Sequence, residues 1–129
     1  MRGTIPVLAG TFMIALAGIA NGAAAEDGDP ARGSQVFNTC AMCHTLSEGK
    51  HRIGPNLKGV VGRRAGSAEG FRYSEAMREA GFEWTPEKLD AYLADGASVV
   101  PGNRMPFPGL FDPKDRADVI AFLKEVSKQ

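Results

Sequence analysis

Four stretches of the chain place apolar residues at helical spacing. The first opens at Asp29-Pro30, with aspartate suited to the N-cap and proline to the first helical position. It runs toward Cys40, and Gly33 and Phe37, four apart, share a face. The second covers Ser74 to Ala80, with Ser74 as cap and Gly81 as stop. The third starts at Thr85-Pro86-Glu87-Lys88, Thr85 capping and Lys88 standing where a capping-box glutamate would sit. Leu89, Tyr92 and Leu93 line its inner face as far as Gly96. The last begins near Asp112-Pro113 and carries Val119, Ile120, Phe122 and Leu123, with Asp115 and Asp118 in early turns that favour acids. Between His44 and Phe71 glycines break any helical pattern, among them Gly54-Pro55, Gly59, Gly62 and Gly66. So long an irregular stretch is unusual in a compact domain, unless it wraps the edge of a bound group. No run alternates with strand periodicity, so the pattern predicts an all-α fold.

A different pattern precedes these helices. Arg2 is the only charged residue before Glu26, and Ile5 to Ala20 is apolar apart from small and turn residues. Ala23-Ala24-Ala25 then offers the small residues a signal peptidase reads. Residues 1–25 are therefore expected to be a cleaved secretory signal peptide, and residues 26–129 a single domain. The apolar run falls short of the roughly 20 residues of a membrane helix and holds Pro6, Gly10 and Gly18, against a retained anchor. The expected location is the periplasm, in soluble form. Composition adds little: 15 basic and 15 acidic residues balance. No basic stripe is concentrated as nucleic-acid binding would require.

Chemistry enters at Cys40-Ala41-Met42-Cys43-His44. Cys-x-x-Cys-His is the attachment signal for a c-type haem: two thiols form thioethers to the cofactor and the adjoining imidazole reaches the iron. Thiol–disulfide exchange uses the shorter Cys-x-x-Cys spacing, and a plain structural disulfide is a further alternative. A four-cysteine zinc site is excluded, because the chain has only two cysteines. A zinc site built from both cysteines and both histidines would need His44 directly beside Cys43, too close for tetrahedral spacing.

A second iron ligand is offered by the segment Val100 to Gly109, where Pro101-Gly102 precedes Met105 and Pro106 and Pro108 follow it. Proline fixes φ and glycine permits a tight turn, so this loop is stiff and non-helical. A stiff loop can hold a weak thioether ligand. Met77 lies on a helix and reads as core; His51, between Lys50 and Arg52, reads as a surface or hydrogen-bonding residue.

These motifs together resemble a class I cytochrome c, of the mitochondrial cytochrome c and bacterial cytochrome c2 group. The likeness runs from Ala31 to Lys128. It includes Cys40-x-x-Cys43-His44, Gly54-Pro55-Asn56-Leu57-x-Gly59, Gly62-Arg63-x-x-Gly66, Gly70-Phe71-x-Tyr73-Ser74, Trp84, Tyr92-Leu93 and Pro101-Gly102-x-x-Met105. The resemblance implies a small helical domain wrapped around one covalently bound haem c, its N- and C-terminal helices crossing where Gly33, Phe37, Val119 and Phe122 stand. It implies His44 and Met105 as iron ligands, and the Pro55 carbonyl as acceptor for the other ring N–H of His44. Arg63, Tyr73 and Trp84 would face a haem propionate, and Tyr92 would lie beneath the haem near Met105. Two residues depart from the mitochondrial pattern: Met77 replaces an asparagine, and Asn103 a threonine of the methionine loop. The lysine ring around the haem edge is also depleted, with Thr39, Ala97, Ser98 and Asp112 at matching positions. Lys50, Arg52 and Arg104 are the positive candidates left for docking.

What the resemblance implies about function is a soluble, monomeric one-electron carrier and not an enzyme, because two axial ligands leave no open iron face. It would shuttle between a bc1-type complex or dehydrogenase and an oxidase, reductase or photosynthetic reaction centre, touching membrane complexes transiently. The alternatives are a relay dedicated to one redox complex, and a haem enzyme or gas sensor with an open distal face.

Overall fold

A computed structural model describes residue 3 and residues 27–129; the expected signal peptide cleavage point lies outside the described residues. The elements in chain order are α1 (Pro30–Cys40), α2 (Glu75–Arg78), α3 (Pro86–Ala94), α4 (Gly96–Val99) and α5 (Pro113–Val126). Among the described residues, β pairing is confined to one isolated antiparallel bridge between Arg64 and Glu83. The all-α expectation therefore holds.

The starts of the helices follow from local chemistry. Asp29, Ser74, Thr85 and Asp112 each accept a backbone N–H of the first turn, and proline opens α1, α3 and α5. Two boundaries differ from the sequence expectation. The second helix is shorter than Ser74 to Ala80, and the third stops at Ala94 because Asp95 begins a separate helix, α4. The Asp95 carboxylate accepts from the Ser98 backbone N–H at 3.2 Å. A four-residue helix opened by glycine is too brief to show periodicity and reads as a stop.

α1 and α5 pack at very close range. A Cβ placed on Gly33 would lie 1.9 Å from the Asp118 carbonyl oxygen and 2.8 Å from the Phe122 Cβ. Only glycine permits that backbone approach. Phe37 and Phe122 stack at 5.4 Å between ring centroids, and Val119 is only 1% exposed. The expected pairing of the terminal helices is thus present. At the same contact Asp118, read from sequence as a simple helix-dipole acid, is fully buried. Its Oδ1 accepts from the Asp29 backbone N–H at 2.7 Å and from the Lys114 ammonium. Arg32 Nε lies 2.9 Å from Oδ2. These partners hold its carboxyl below the usual range, Lys114 first and the Asp29 N–H second.

α3 lies against α5 and carries Leu89, Tyr92 and Leu93 into the core beside Ile120 and Leu123. The long segment from His44 to Ser74 has no helix. It closes over the open side of this helical frame and leaves a cavity within. Among the described residues, no helix is long and apolar enough to cross a membrane.

Candidate cofactor-binding site

The attachment motif sits where α1 ends. The backbone N–H groups of Cys43 and His44 both donate to the Cys40 carbonyl, at 3.0 and 2.9 Å. That tight turn brings two free thiols and one imidazole to the wall of a single cavity of about 660 Å³. Pro55, Arg63, Tyr73, Trp84, Tyr92 and Met105 line the same cavity. Most of the remaining wall is aliphatic, including Leu57, Val60, Met77, Leu89 and Leu123. Burial raises the Cys40 thiol above its ordinary pKa, while hydrogen bonding from its own backbone opposes this.

His44 is oriented by its neighbours. Its Nδ1 lies 2.7 Å from the Pro55 carbonyl. A carbonyl only accepts, so Nδ1 carries the proton and Nε2 keeps its lone pair for a metal. Burial pushes the imidazole below its usual pKa, and the nearby Arg63 charge adds to this while the Pro55 carbonyl opposes it. The ring is thus held neutral, the form that ligates iron. Gly54 fits against its face: a Cβ there would meet His44 Cε1 at 2.4 Å.

Arg63, Tyr73 and Trp84 form a polar end to the cavity. Residues 62–65 hydrogen-bond with 82–84, Trp84 N–H donating to the Arg63 carbonyl at 2.8 Å and Gly62 N–H to the Trp84 carbonyl at 2.8 Å. Arg63 Nη2 donates to the Asn56 carbonyl at 3.0 Å, but its buried Nε has no partner. The Tyr73 oxygen accepts from the Ala68 N–H at 3.1 Å, leaving its own proton to donate. Burial lowers the Arg63 pKa, yet a guanidinium stays charged.

His51 stands apart. It does not line the cavity; it ties the loop from behind. Nε2–H donates to the Glu69 carbonyl at 2.8 Å and Nδ1 accepts from the Asn56 N–H at 3.1 Å. The hydrogen-bonding role read from sequence is the one this geometry gives it.

The Met105 loop is held by Asn103, one of the departures from the mitochondrial pattern. Asn103 Oδ1 accepts from the Met105 N–H at 2.9 Å, and Asn103 Nδ2 donates to the Val100 carbonyl at 3.0 Å. Tyr92 O–H donates to the same Oδ1 at 3.2 Å, with the Met105 sulfur 3.6 Å away. Burial pushes the Tyr92 hydroxyl up to about 12, so it stays a donor. The signal was available: asparagine two residues before a fixed backbone N–H is the pattern of an Asx turn.

The donor set fits a covalently attached haem. Two thiols, one lone-pair imidazole nitrogen and one thioether share an apolar cavity of suitable size. The orphaned Arg63 Nε is a donor awaiting an anion. Among the described residues that line the cavity there is no Asp or Glu, while Arg63, Arg72 and Arg104 all do so; a group with carboxylate tails suits that imbalance.

Comparisons with known proteins agree with this chemistry. The family model described as "Cytochrome c" matches residues 30–127. Cytochrome c2 of Rhodopila globiformis is 46% identical over 101 residues, covering 78% of this chain and 95% of that one. Cytochrome c of Stellaria longipes is 46% identical over 105 residues, covering 80% and 97%. Among solved structures, cytochrome cH from Methylobacterium extorquens superposes with a TM-score of 0.72 at 44% identity, covering 76% of this chain and 99% of that one.

Proposed function

The chain belongs to the cytochrome c family, and from that premise we propose that His44 and Met105 would hold the iron of its haem. The protein is an electron carrier, not an enzyme, and carries one covalently bound haem c. Cys40 and Cys43 are the attachment thiols in this reading. Pro55 fixes the His44 tautomer, while Arg63, Tyr73 and Trp84 receive a propionate. When bound, haem supplies a one-electron couple between ferric and ferrous iron, and a thioether ligand favours the ferrous side. The chain's own residues would orient the ligands and keep water from the apolar cavity, whose mouth stays open at Met42 and Ile53. The observation that carries the reading is the convergence of both cysteines, His44 and Met105 on one cavity, with Nδ1 of His44 committed to the Pro55 carbonyl.

Replacement of Met105 by alanine tests it. The variant is expected to lose the ferric absorption band of thioether coordination, to bind carbon monoxide in the ferrous state, and to have a lower potential. An unchanged spectrum means that another residue holds the iron.

The carrier exchanges electrons with redox protein partners. We place it in the periplasm, soluble after cleavage of residues 1–25, between a bc1-type complex or dehydrogenase and an oxidase, reductase or reaction centre. The docking face is the cavity mouth, where Met42 and Ile53 are 76% and 77% exposed. Arg104 borders it, its guanidinium tied to the Arg72 carbonyl at 3.1 Å. Arg52 donates to the Ala41 carbonyl within the attachment motif. Lys50 is exposed but does not line the mouth, whereas Arg72, not singled out in the sequence, does. Charge reversal at Arg104 is expected to slow reaction with an acidic partner at low salt, the difference shrinking as salt is added. Equal low-salt rates for both proteins remove Arg104 from the docking face.

A further inference from the structure

We infer that Asn103 is a positioning residue that takes the Tyr92 proton away from the Met105 sulfur and so sets the electron donation of that sulfur to iron. The inference rests on Met105 as the ligand.

The orientation of the Asn103 amide is fixed by partners that cannot reverse roles. Val100 presents a carbonyl, which only accepts, at 3.0 Å from Nδ2. Met105 presents an N–H, which only donates, at 2.9 Å from Oδ1. A flipped amide would set oxygen against oxygen and N–H against N–H. Oδ1 is therefore the atom that faces the Tyr92 hydroxyl at 3.2 Å. A carboxamide oxygen is a stronger acceptor than a thioether, and the sulfur is also the more distant, at 3.6 Å. The tyrosine hydroxyl has one proton to give.

Two effects follow. The amide staples the backbone at Met105 to the Val100 turn, where Gly102 supplies a φ of +87°. The hydroxyl proton, within reach of both acceptors, is also drawn toward the amide oxygen, and the sulfur keeps the weaker share. Without the Asn103 acceptor, the Tyr92 proton turns to the sulfur, which then donates less to ferric iron, and the potential rises.

A four-protein cycle on the haem-loaded protein reads this out: wild type, Asn103→Ser, Tyr92→Phe and the double variant. Serine retains a hydroxyl for the Met105 N–H but is one bond too short to replace the amide toward Tyr92. Asn103→Ser is expected to keep the thioether band and show a raised potential. Tyr92→Phe is expected to move the potential less than Asn103→Ser does. In the Tyr92→Phe background, Asn103→Ser is expected to leave the potential where it is, because no proton is left to redirect. An equal shift in both backgrounds, or none in either, overturns the inference. Absence of the thioether band from the wild type itself overturns the ligand assignment, and is distinguishable because it appears before any variant is compared. Should Asn103→Ser fail to load haem, Tyr92→Phe alone still decides: a shift in the direction of weaker sulfur hydrogen bonding, with the potential falling strongly, shows that the proton was on the sulfur.

Discussion

The α1–α5 contact and the Met105 loop both hold chain segments in fixed positions, and they do so by opposite means. At the helix contact, backbone approaches backbone, with the missing Cβ of Gly33 leaving the gap and Phe37, Val119 and Phe122 filling what surrounds it. At the loop Val100 is buried and Met105 and Phe107 pack against the core, but apolar packing gives no direction to the sulfur. Pro101, Pro106 and Pro108 limit the backbone, and the Asn103 amide and Tyr92 hydroxyl supply direction. Volume governs the first region and hydrogen-bond geometry the second. A change at the contact should therefore register in stability, and a change around the cavity in the spectrum and potential of the haem.

The largest effect is expected from Gly33→Leu. The first added atom would already overlap the Asp118 carbonyl, a backbone group that cannot swing aside. A destabilisation of about 3 kcal/mol, the upper end of ordinary overpacking, should appear in denaturant unfolding while the thioether band persists. A loss of the band without loss of stability would break the division between the two regions.

Asp118→Asn should come next, and its effect should depend on pH. The folded-state pKa of Asp118 lies below its ordinary value of 3.8. Its ionised form therefore stabilises the fold fully above that ordinary value, and the contribution disappears as pH falls through the depressed folded pKa. The wild type should exceed the variant in stability at neutral pH, with the gap closing as acid is added below the usual carboxylate range. A gap that stays constant down to the lowest pH would mean that the charge of Asp118 is not what matters.

Gly54→Ala should mark the haem before it marks the fold, because its Cβ would lie 2.4 Å from the His44 ring, whose Nδ1 is committed to the Pro55 carbonyl. Its mark should be a shifted haem spectrum and potential. A variant with unaltered spectrum would show that the imbalance between the regions is weaker than the geometry implies.

Legibility in the sequence followed the range of the interaction. Asp29, Ser74, Thr85 and Asp112 act within three residues of themselves, and their caps could be read directly. Cys40, Cys43 and His44 announce themselves through spacing. Met105 was legible because prolines crowd around it. Asp118 was not: its burial depends on Arg32 and on an N–H donor 89 residues away in sequence, and nothing near it distinguishes a clamp from a dipole-friendly surface acid. α4 was too short to carry a period. Nothing in the neighbours of Arg72 marks it, and only the folded chain brings it to the cavity mouth.

The bond from the Asp29 N–H to Asp118 also bears on the order of events during synthesis. A chain that emerges amino end first presents Cys40 and Cys43 long before residues 113–126 exist to cover α1. Contacts between distant parts of a chain form late. The helix that carries the attachment signal therefore stays unfinished until the last helix arrives. The segment that completes the packing around α1 is thus the last one the chain supplies, and the attachment motif at the end of α1 precedes it by some seventy residues.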